Sequence, residues 1–301
     1  MGIIFLYLVQ VNKITNKAGE NMIEINNFAK EKEFLICIDS DGSAIDTMTE
    51  KHQKAFGPEA VKVWGLESVK DIFLKKWDKV NLYSNTRGIN RFKGLVKTFN
   101  ALKVEGHDLP EITKIQQWVE TSSELSNPAL KREIEKSKNK EELILALQWS
   151  QQVNQKISEL EKDIKKVFKG VKESLIKISF KADIAVVSSA NQEALLDEWE
   201  SYNLQEHVKI ILGQEAGSKA DNIKDLKQKG YKTKNILMIG DAPGDLRAAE
   251  TNDVSFYPII PTEEEQSWSV FLEQTAAQFF AGNYREEYED KLIKKFKFIL
   301  K

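Results

Sequence analysis

Two aspartates, Asp39 and Asp41, close the apolar run Phe34-Leu35-Ile36-Cys37-Ile38 and are followed by Gly42 and Ser43. In extended backbone, side chains two residues apart project to the same side, so both carboxylates could address one substrate atom. Three further polar groups follow apolar runs later in the chain: Ser188-Ser189, Lys219, and Asp241-Ala242-Pro243-Gly244-Asp245. Asp39, Asp241 and Asp245 offer hard oxygen ligands of the kind Mg²⁺ takes, and a lysine beside them would offset the crowding of negative charge. Each group alone has an ordinary explanation. An Asp-x-Asp can be an exposed turn, a serine after a strand usually starts a turn or helix, and a lysine is usually solvated. Asp245 could simply cap the helix beginning near Leu246. The order of the four groups, each at the end of an apolar run, is what argues for a site.

The elements that must position them follow from periodicity. A short continuous apolar run is the pattern of a strand buried on both faces of a parallel sheet, and in such sheets ligands gather beyond the carboxyl ends of the strands. Phe34 to Ile38 predicts one such strand, and Gly42 lets the chain turn away sharply. From about Val171, short apolar runs alternate with helices: Ile184 to Val187, then Glu193 to Tyr202; Val208 to Leu212, then Ala220 to Lys229; Ile236 to Ile239, Leu246 to Thr251, and Val254 to Tyr257. That alternation implies βαβ units and a parallel sheet. Between the first strand and the rest lies a segment, about 47–170, with helical periodicity and no strand signal. Leu66 to Val80, Ile89 to Leu102 and Glu141 to Phe168 carry its apolar stripes, and Ser126-Asn127-Pro128 reads as a helix start. The expected division is an N-terminal extension at 1–30, an α/β core from 31–46 and 171–301, and an inserted helical domain at 47–170. Its hinges are expected near Asp46 to Thr49 and Lys169 to Val171. Two further helices, Trp268 to Phe280 and Glu286 to Leu300, are expected to cover the core.

Composition narrows the function classes. Of 301 residues, 30% are charged and 41% hydrophobic, as in a soluble globular protein, and the net charge of −2 gives no electrostatic reason to expect nucleic acid or an anionic membrane as partner. Cys37 is the single cysteine and falls in the predicted core strand, so no disulfide framework exists and a reducing cytoplasm fits best. The apolar stretch Ile3 to Val11 is shorter than the roughly 20 residues a membrane span needs. It is expected to be a non-structural extension, and Met22 is a candidate for the native first residue. His52, His107 and His207 have no metal-like spacing.

The four groups together resemble the motifs of the haloacid dehalogenase-like superfamily, in the family's order. Asp39-Ser40-Asp41-Gly42-Ser43 matches its first motif, with serine where threonine is commoner. Ser188, after Ala185-Val186-Val187, matches the second. Lys219 matches the lysine motif, with Lys224 a rival, and Gly240-Asp241 through Asp245 matches the acidic motif. The resemblance covers Phe34 to Asp46 and about Val171 to Pro258, and the insertion stands where many members carry a helical cap. It implies a Rossmann-like α/β parallel-sheet core with an inserted α-helical cap domain.

It also implies a Mg²⁺-dependent phosphatase acting on a small phosphorylated metabolite. Asp39 would be the nucleophile, forming an aspartyl-phosphate that water hydrolyses. Asp41 would protonate the leaving oxygen and then activate water. The metal would be held by Asp39, the backbone carbonyl of Asp41, and Asp241, with Asp245 bound directly or behind it. Ser188 would hydrogen-bond a phosphoryl oxygen with help from backbone N–H groups near Ser189, Gly42 would line the substrate site, and Lys219 would neutralise charge. A phosphomutase shares these motifs, and a non-catalytic binding module on the same fold is a third reading. Within the insertion, Asn81 to Phe92 holds Arg87 and Arg91, two of only five arginines, whose rigid forks suit phosphate or carboxylate. They are expected to face the site and read the leaving group. Trp64, Trp77, Trp118 and Trp149 are expected to form the core of the insertion. Neither the substrate nor an oligomeric state follows from the sequence.

Overall fold

The computed structural model describes residues 25–160 and 166–301. The expectations for Ile3 to Val11 and Met22 lie outside the described residues. Five parallel strands form the central sheet: β1 (Phe34–Ile38), β4 (Ala182–Val187), β5 (Ile210–Leu212), β6 (Ile236–Gly240) and β7 (Ser255–Pro258), in the order β5-β4-β1-β6-β7. β1 is central, paired with β4 on one side (Ile38 opposite Val186) and with β6 on the other (Ile38 opposite Ile239).

Alternation along these strands feeds two apolar layers. Ile36, Ile38, Ile184, Val186, Leu237 and Ile239 face one layer, while Leu35, Cys37, Ala185, Val187, Ile236 and Met238 face the other. A strand covered on both faces has no need of polar residues, which is why β1 reads as an unbroken apolar run. Full burial of each Leu, Ile, Val or Met side chain among these is worth about 2 kcal/mol. The first layer is closed by α8 (Val171–Ser179), by Trp199 of α9 (Gln192–Ser201), and by Trp268 and Phe279 from the C-terminal helices α12 (Glu264–Val270) and α13 (Ala276–Phe280). The second is closed by α10 (Lys219–Lys227), α11 (Pro243–Asn252) and α14 (Glu287–Ile299). The predicted single helix from Trp268 to Phe280 is two pieces joined by a π-helical turn at Phe271–Thr275.

The insertion begins with α1 (Met48–Lys51), which runs through a π-helical turn at His52–Phe56 into α2 (Gly57–Val63). Then follow α3 (Lys70–Asn81), α4 (Arg91–Val104), α5 (Thr113–Thr121), α6 (Asn127–Lys136) and α7 (Glu141–Glu159). They enclose a separate aromatic core in which Trp149 packs edge-on against Trp77 at 5.9 Å and Trp64 at 6.0 Å, with Trp118 against Phe92 at 5.0 Å. Trp149 Nε1 donates to the Phe56 carbonyl at 3.0 Å, satisfying an acceptor at the end of the π turn. Ser126 caps α6 by accepting from the Ala129 N–H, as its sequence predicts.

Two details differ from the sequence reading. The helix starting at Glu141 ends at Glu159, well before Phe168. The insertion also contains a strand: β3 (Lys166–Val167) pairs antiparallel with β2 (Ile45–Asp46), tying the chain's outgoing and returning crossings side by side. Two residues are too few to show a period, so neither strand left a pattern to read. Among the described residues, no helix is long and apolar enough to cross a membrane.

Candidate active site

β1 and β6 leave the sheet where its winding direction reverses, the place at which open α/β sheets bind ligands. Asp39 is still held by the ladder, its N–H donating to the Ile239 carbonyl at 2.9 Å. Beyond it the chain closes a tight loop in which the Ser40 carbonyl accepts from the N–H groups of Ser43, Ala44 and Ile45. Gly42 makes the loop feasible in two ways. Its φ is +80°, and a Cβ there would lie 2.5 Å from Asp241 Oδ2 and 2.8 Å from Arg87 Nη2. Buried tryptophans brace both flanks: Trp199 Nε1 donates to Ser40 Oγ at 2.9 Å and Trp268 Nε1 to the Ser43 carbonyl at 2.7 Å.

Three carboxylates converge here. One oxygen each from Asp39, Asp241 and Asp245 lie within 4.8 Å of one another, and all three residues are buried. Lys219, at the start of α10, places Nζ 2.9 Å from Asp39 Oδ1 and 2.5 Å from Asp245 Oδ1. Asp245 Oδ2 also accepts the Ala242 N–H at 3.0 Å, so this residue caps α11 and joins the cluster at once. Lys224, by contrast, is exposed on α10. Burial pushes the Asp39 carboxyl well above the usual range; Lys219 opposes this, while the charges of Asp245 and Asp241 reinforce it. Asp245 is raised by burial in the same way, again against Lys219. For Lys219, burial favours the neutral amine, but Asp245 and Asp39 outweigh it and hold the ammonium.

Asp41 has its own partners. Its Oδ1 accepts from Thr47 Oγ1, and Lys51 Nζ lies 2.8 Å from Oδ1 and 3.0 Å from Oδ2. Burial alone would raise this carboxyl, but the charge and hydrogen bonds of Lys51, with Thr47, bring it below the ordinary range. Ser188 follows β4 at the same end of the sheet, buried, with its Oγ accepting from the Ala190 N–H at 3.2 Å; Ser189 beside it is exposed.

The two arginines part company. Arg87 reaches the aspartates: its Nε lies 2.6 Å from Asp241 Oδ2 and its Nη1 donates to the Leu82 carbonyl at 2.9 Å. Arg91 stays in the helical bundle, stacked 4.9 Å over the Phe56 ring and donating to Ser150 Oγ at 3.0 Å and Asn154 Oδ1 at 2.6 Å. The helix begins only at Arg91, so the four-residue spacing does not put the pair on one helical face.

Sequence reasoning missed several residues that complete this network. Ser43 Oγ donates to Asp241 Oδ1 at 2.6 Å. Lys51 and Thr47 hold Asp41, and their spacing of four at a helix start was an available signal. His52 is buried nearby, its Nδ1 accepting from Trp77 Nε1 at 3.0 Å. Burial, with Arg87 beside it, lowers its pKa to about 3.

The family model of haloacid dehalogenase-like hydrolases matches residues 89–259, more than half of the chain, though not Asp39 or Asp41. No curated protein matches. Among solved structures, a predicted phosphoglycolate phosphatase from Haemophilus somnus is similar, with 16% identity and a TM-score of 0.49 over 79% of this chain and 92% of that one. A haloacid dehalogenase-like family hydrolase from Streptococcus pneumoniae has 13% identity and a TM-score of 0.42, covering 78% and 90%. A predicted phosphatase from Clostridium acetobutylicum has 15% identity and a TM-score of 0.41, covering 76% and 85%.

Proposed function

Because the chain belongs to the haloacid dehalogenase-like hydrolases, we propose that it is a Mg²⁺-dependent phosphatase acting on a small phosphorylated metabolite through an aspartyl-phosphate. The observation that carries this reading is the bridging of Asp39 and Asp245 by Lys219 beside a third buried carboxylate, Asp241. Among the described residues, the three carboxylates face two cations in direct contact, Lys219 and Arg87. A cluster of buried anions with fewer cations suits a divalent ion of hard-oxygen preference. Asp39, Asp241 and Asp245, with the Asp41 backbone carbonyl, would hold it. Its positive charge would screen the attacking carboxylate from the phosphoryl anion.

The remaining chemistry belongs to the chain. Asp39 attacks phosphorus, forming the aspartyl–phosphorus bond as the ester bond to the leaving oxygen breaks; Asp41, which Lys51 keeps ionised in the substrate-free protein, takes up a proton as the phosphate ester binds and gives it to that oxygen. Asp41 then takes a proton from water, which attacks phosphorus and breaks the bond to Asp39, releasing inorganic phosphate. Asp41 is what an oxygen leaving group needs. Ser188 Oγ and the Ser189 N–H donate to phosphoryl oxygens, Gly42 lines the substrate site while its own N–H is held by the Ile45 carbonyl, Lys219 offsets charge on Asp39, and Arg87 reads the substrate. Arg91 supports the helical domain from within.

Residues 47–170 act as a cap domain, opening at the β2–β3 crossing to admit substrate and closing to exclude water. The single buried cysteine suits a reducing cytoplasm. A panel of phosphorylated metabolites with Mg²⁺, with Asp39→Asn as control, tests the reading. Free phosphate released by the parent protein alone supports it. An isomeric sugar phosphate as product would assign a phosphomutase instead, and no turnover of any ester with Mg²⁺ would overturn it.

A further inference from the structure

Lys51 contacts none of the three clustered aspartates, yet it is among the most enclosed lysines near the site, 12% exposed. Its ammonium lies between two carboxylates from different parts of the fold: Asp41, in the loop after β1, at 2.8 and 3.0 Å, and Glu198 Oε1, on core helix α9, at 3.5 Å. Lys51 itself belongs to α1, the first helix of the insertion, so one side chain ties the insertion, the catalytic loop and the core helix together. Desolvating an ammonium in this way is costly, and a mere tether between α1 and α9 would need only Glu198.

The contacts on Asp41 are unequal. Among the described residues, Oδ1 accepts from both Thr47 and Lys51, whereas Oδ2 has only the longer contact to Lys51. A carboxylate oxygen has about two lone-pair sites, so Oδ1 is filled and Oδ2 keeps one open.

We propose that Lys51 is a positioning residue for proton transfer, clamping Asp41 so that Oδ2 is the oxygen presented to the leaving group. This rests on the assignment of Asp41 as proton carrier. Lys51 stays on its own side of Asp41 and touches neither phosphorus nor the leaving oxygen. Glu198 holds the ammonium from behind and keeps it from following the substrate. Because α1 opens the insertion, the clamp forms fully only when the insertion is seated on the core.

The test compares two esters that differ in their need for a proton. An alkyl phosphate leaves as a strongly basic alkoxide, and p-nitrophenyl phosphate as a weakly basic phenolate. In Lys51→Met, the single-turnover rate of phosphoryl transfer from the alkyl ester to the protein, the step that depends on the leaving group, should fall about 10- to 100-fold, within the usual range for general acid catalysis. For the aryl ester it should fall less than about threefold, with KM little changed for both. Lys51→Arg should recover part of the alkyl activity. Equal losses on both esters, or no loss on either, would overturn the clamp. Lys51→Gln serves the same comparison if Lys51→Met does not fold. Asp41→Asn is the separate control: if it cleaves the alkyl ester at the parent rate, the assignment of Asp41 fails, whatever Lys51 does.

Discussion

The Arg87 guanidinium, reaching in from the insertion, lies with its Nε 2.6 Å from Asp241 Oδ2, in a pair whose side chains are 2% and 0% exposed. An arginine thus occupies one oxygen of an aspartate that the proposed function also assigns to a metal. Arg87 and a divalent cation would compete for the same charge. Arg87→Ala is therefore expected to bind Mg²⁺ about tenfold more tightly by calorimetry, a change of about 1.4 kcal/mol. The same variant should show a raised KM for substrate. Unchanged Mg²⁺ affinity would mean that the pair does not limit metal entry.

Arg91 should behave differently. Its removal takes away the stacking on Phe56 and the hydrogen bonds to Ser150 and Asn154. Arg91→Ala is expected to destabilise the helical domain by about 1–2 kcal/mol, seen as a lower Tm, with KM within twofold of the parent. A raised KM at unchanged Tm would return Arg91 to the substrate site.

Gly42→Ala places a Cβ where φ is +80° and Asp241 Oδ2 is 2.5 Å away. Backbone strain alone costs about 1–3 kcal/mol, and relieving the clash must shift Asp241 or the loop. The expected outcome is a lowered Tm together with weakened Mg²⁺ binding. A variant with both properties intact would show that the loop relaxes freely.

Buried His52 predicts a pH dependence of stability. Its folded pKa is lowered from 6.5 to about 3 by burial and then by Arg87, so between those values the unfolded chain binds a proton that the folded chain refuses. Stability is therefore full above about pH 6.5 and falls as pH drops toward 3, by on the order of 4 kcal/mol from this group. Protonation would also set an N–H against the Trp77 N–H that Nδ1 now accepts. His52→Gln should flatten that part of the acid limb in denaturant titrations, and an unchanged limb would place the effect elsewhere.

The parts legible in the sequence were those whose physics leaves a pattern. β1 announces itself because both its faces are covered, and the four polar groups stand out because each follows such a run. The crossing ribbon at Ile45–Asp46 and Lys166–Val167 is too short to show alternation, and the helix after Glu141 continues in pattern beyond Glu159, where it ends. Arg87 and Arg91 were indistinguishable by residue type; a helix start falling at Arg91 separates them, and only the fold decides that. Lys51 was one lysine in a lysine-rich chain, and its role depends on Asp41 and Glu198, the latter 147 positions away in sequence.

The central claim is that Asp39 carries the phosphoryl group. Rapid acid quench during turnover of an active phosphate ester with Mg²⁺, followed by mass spectrometry of the intact protein and its peptides, measures this directly. The account predicts one added phosphoryl group, mapped to Asp39 and absent from Asp39→Asn. Phosphorylation at another residue, or full turnover by Asp39→Asn, would contradict it.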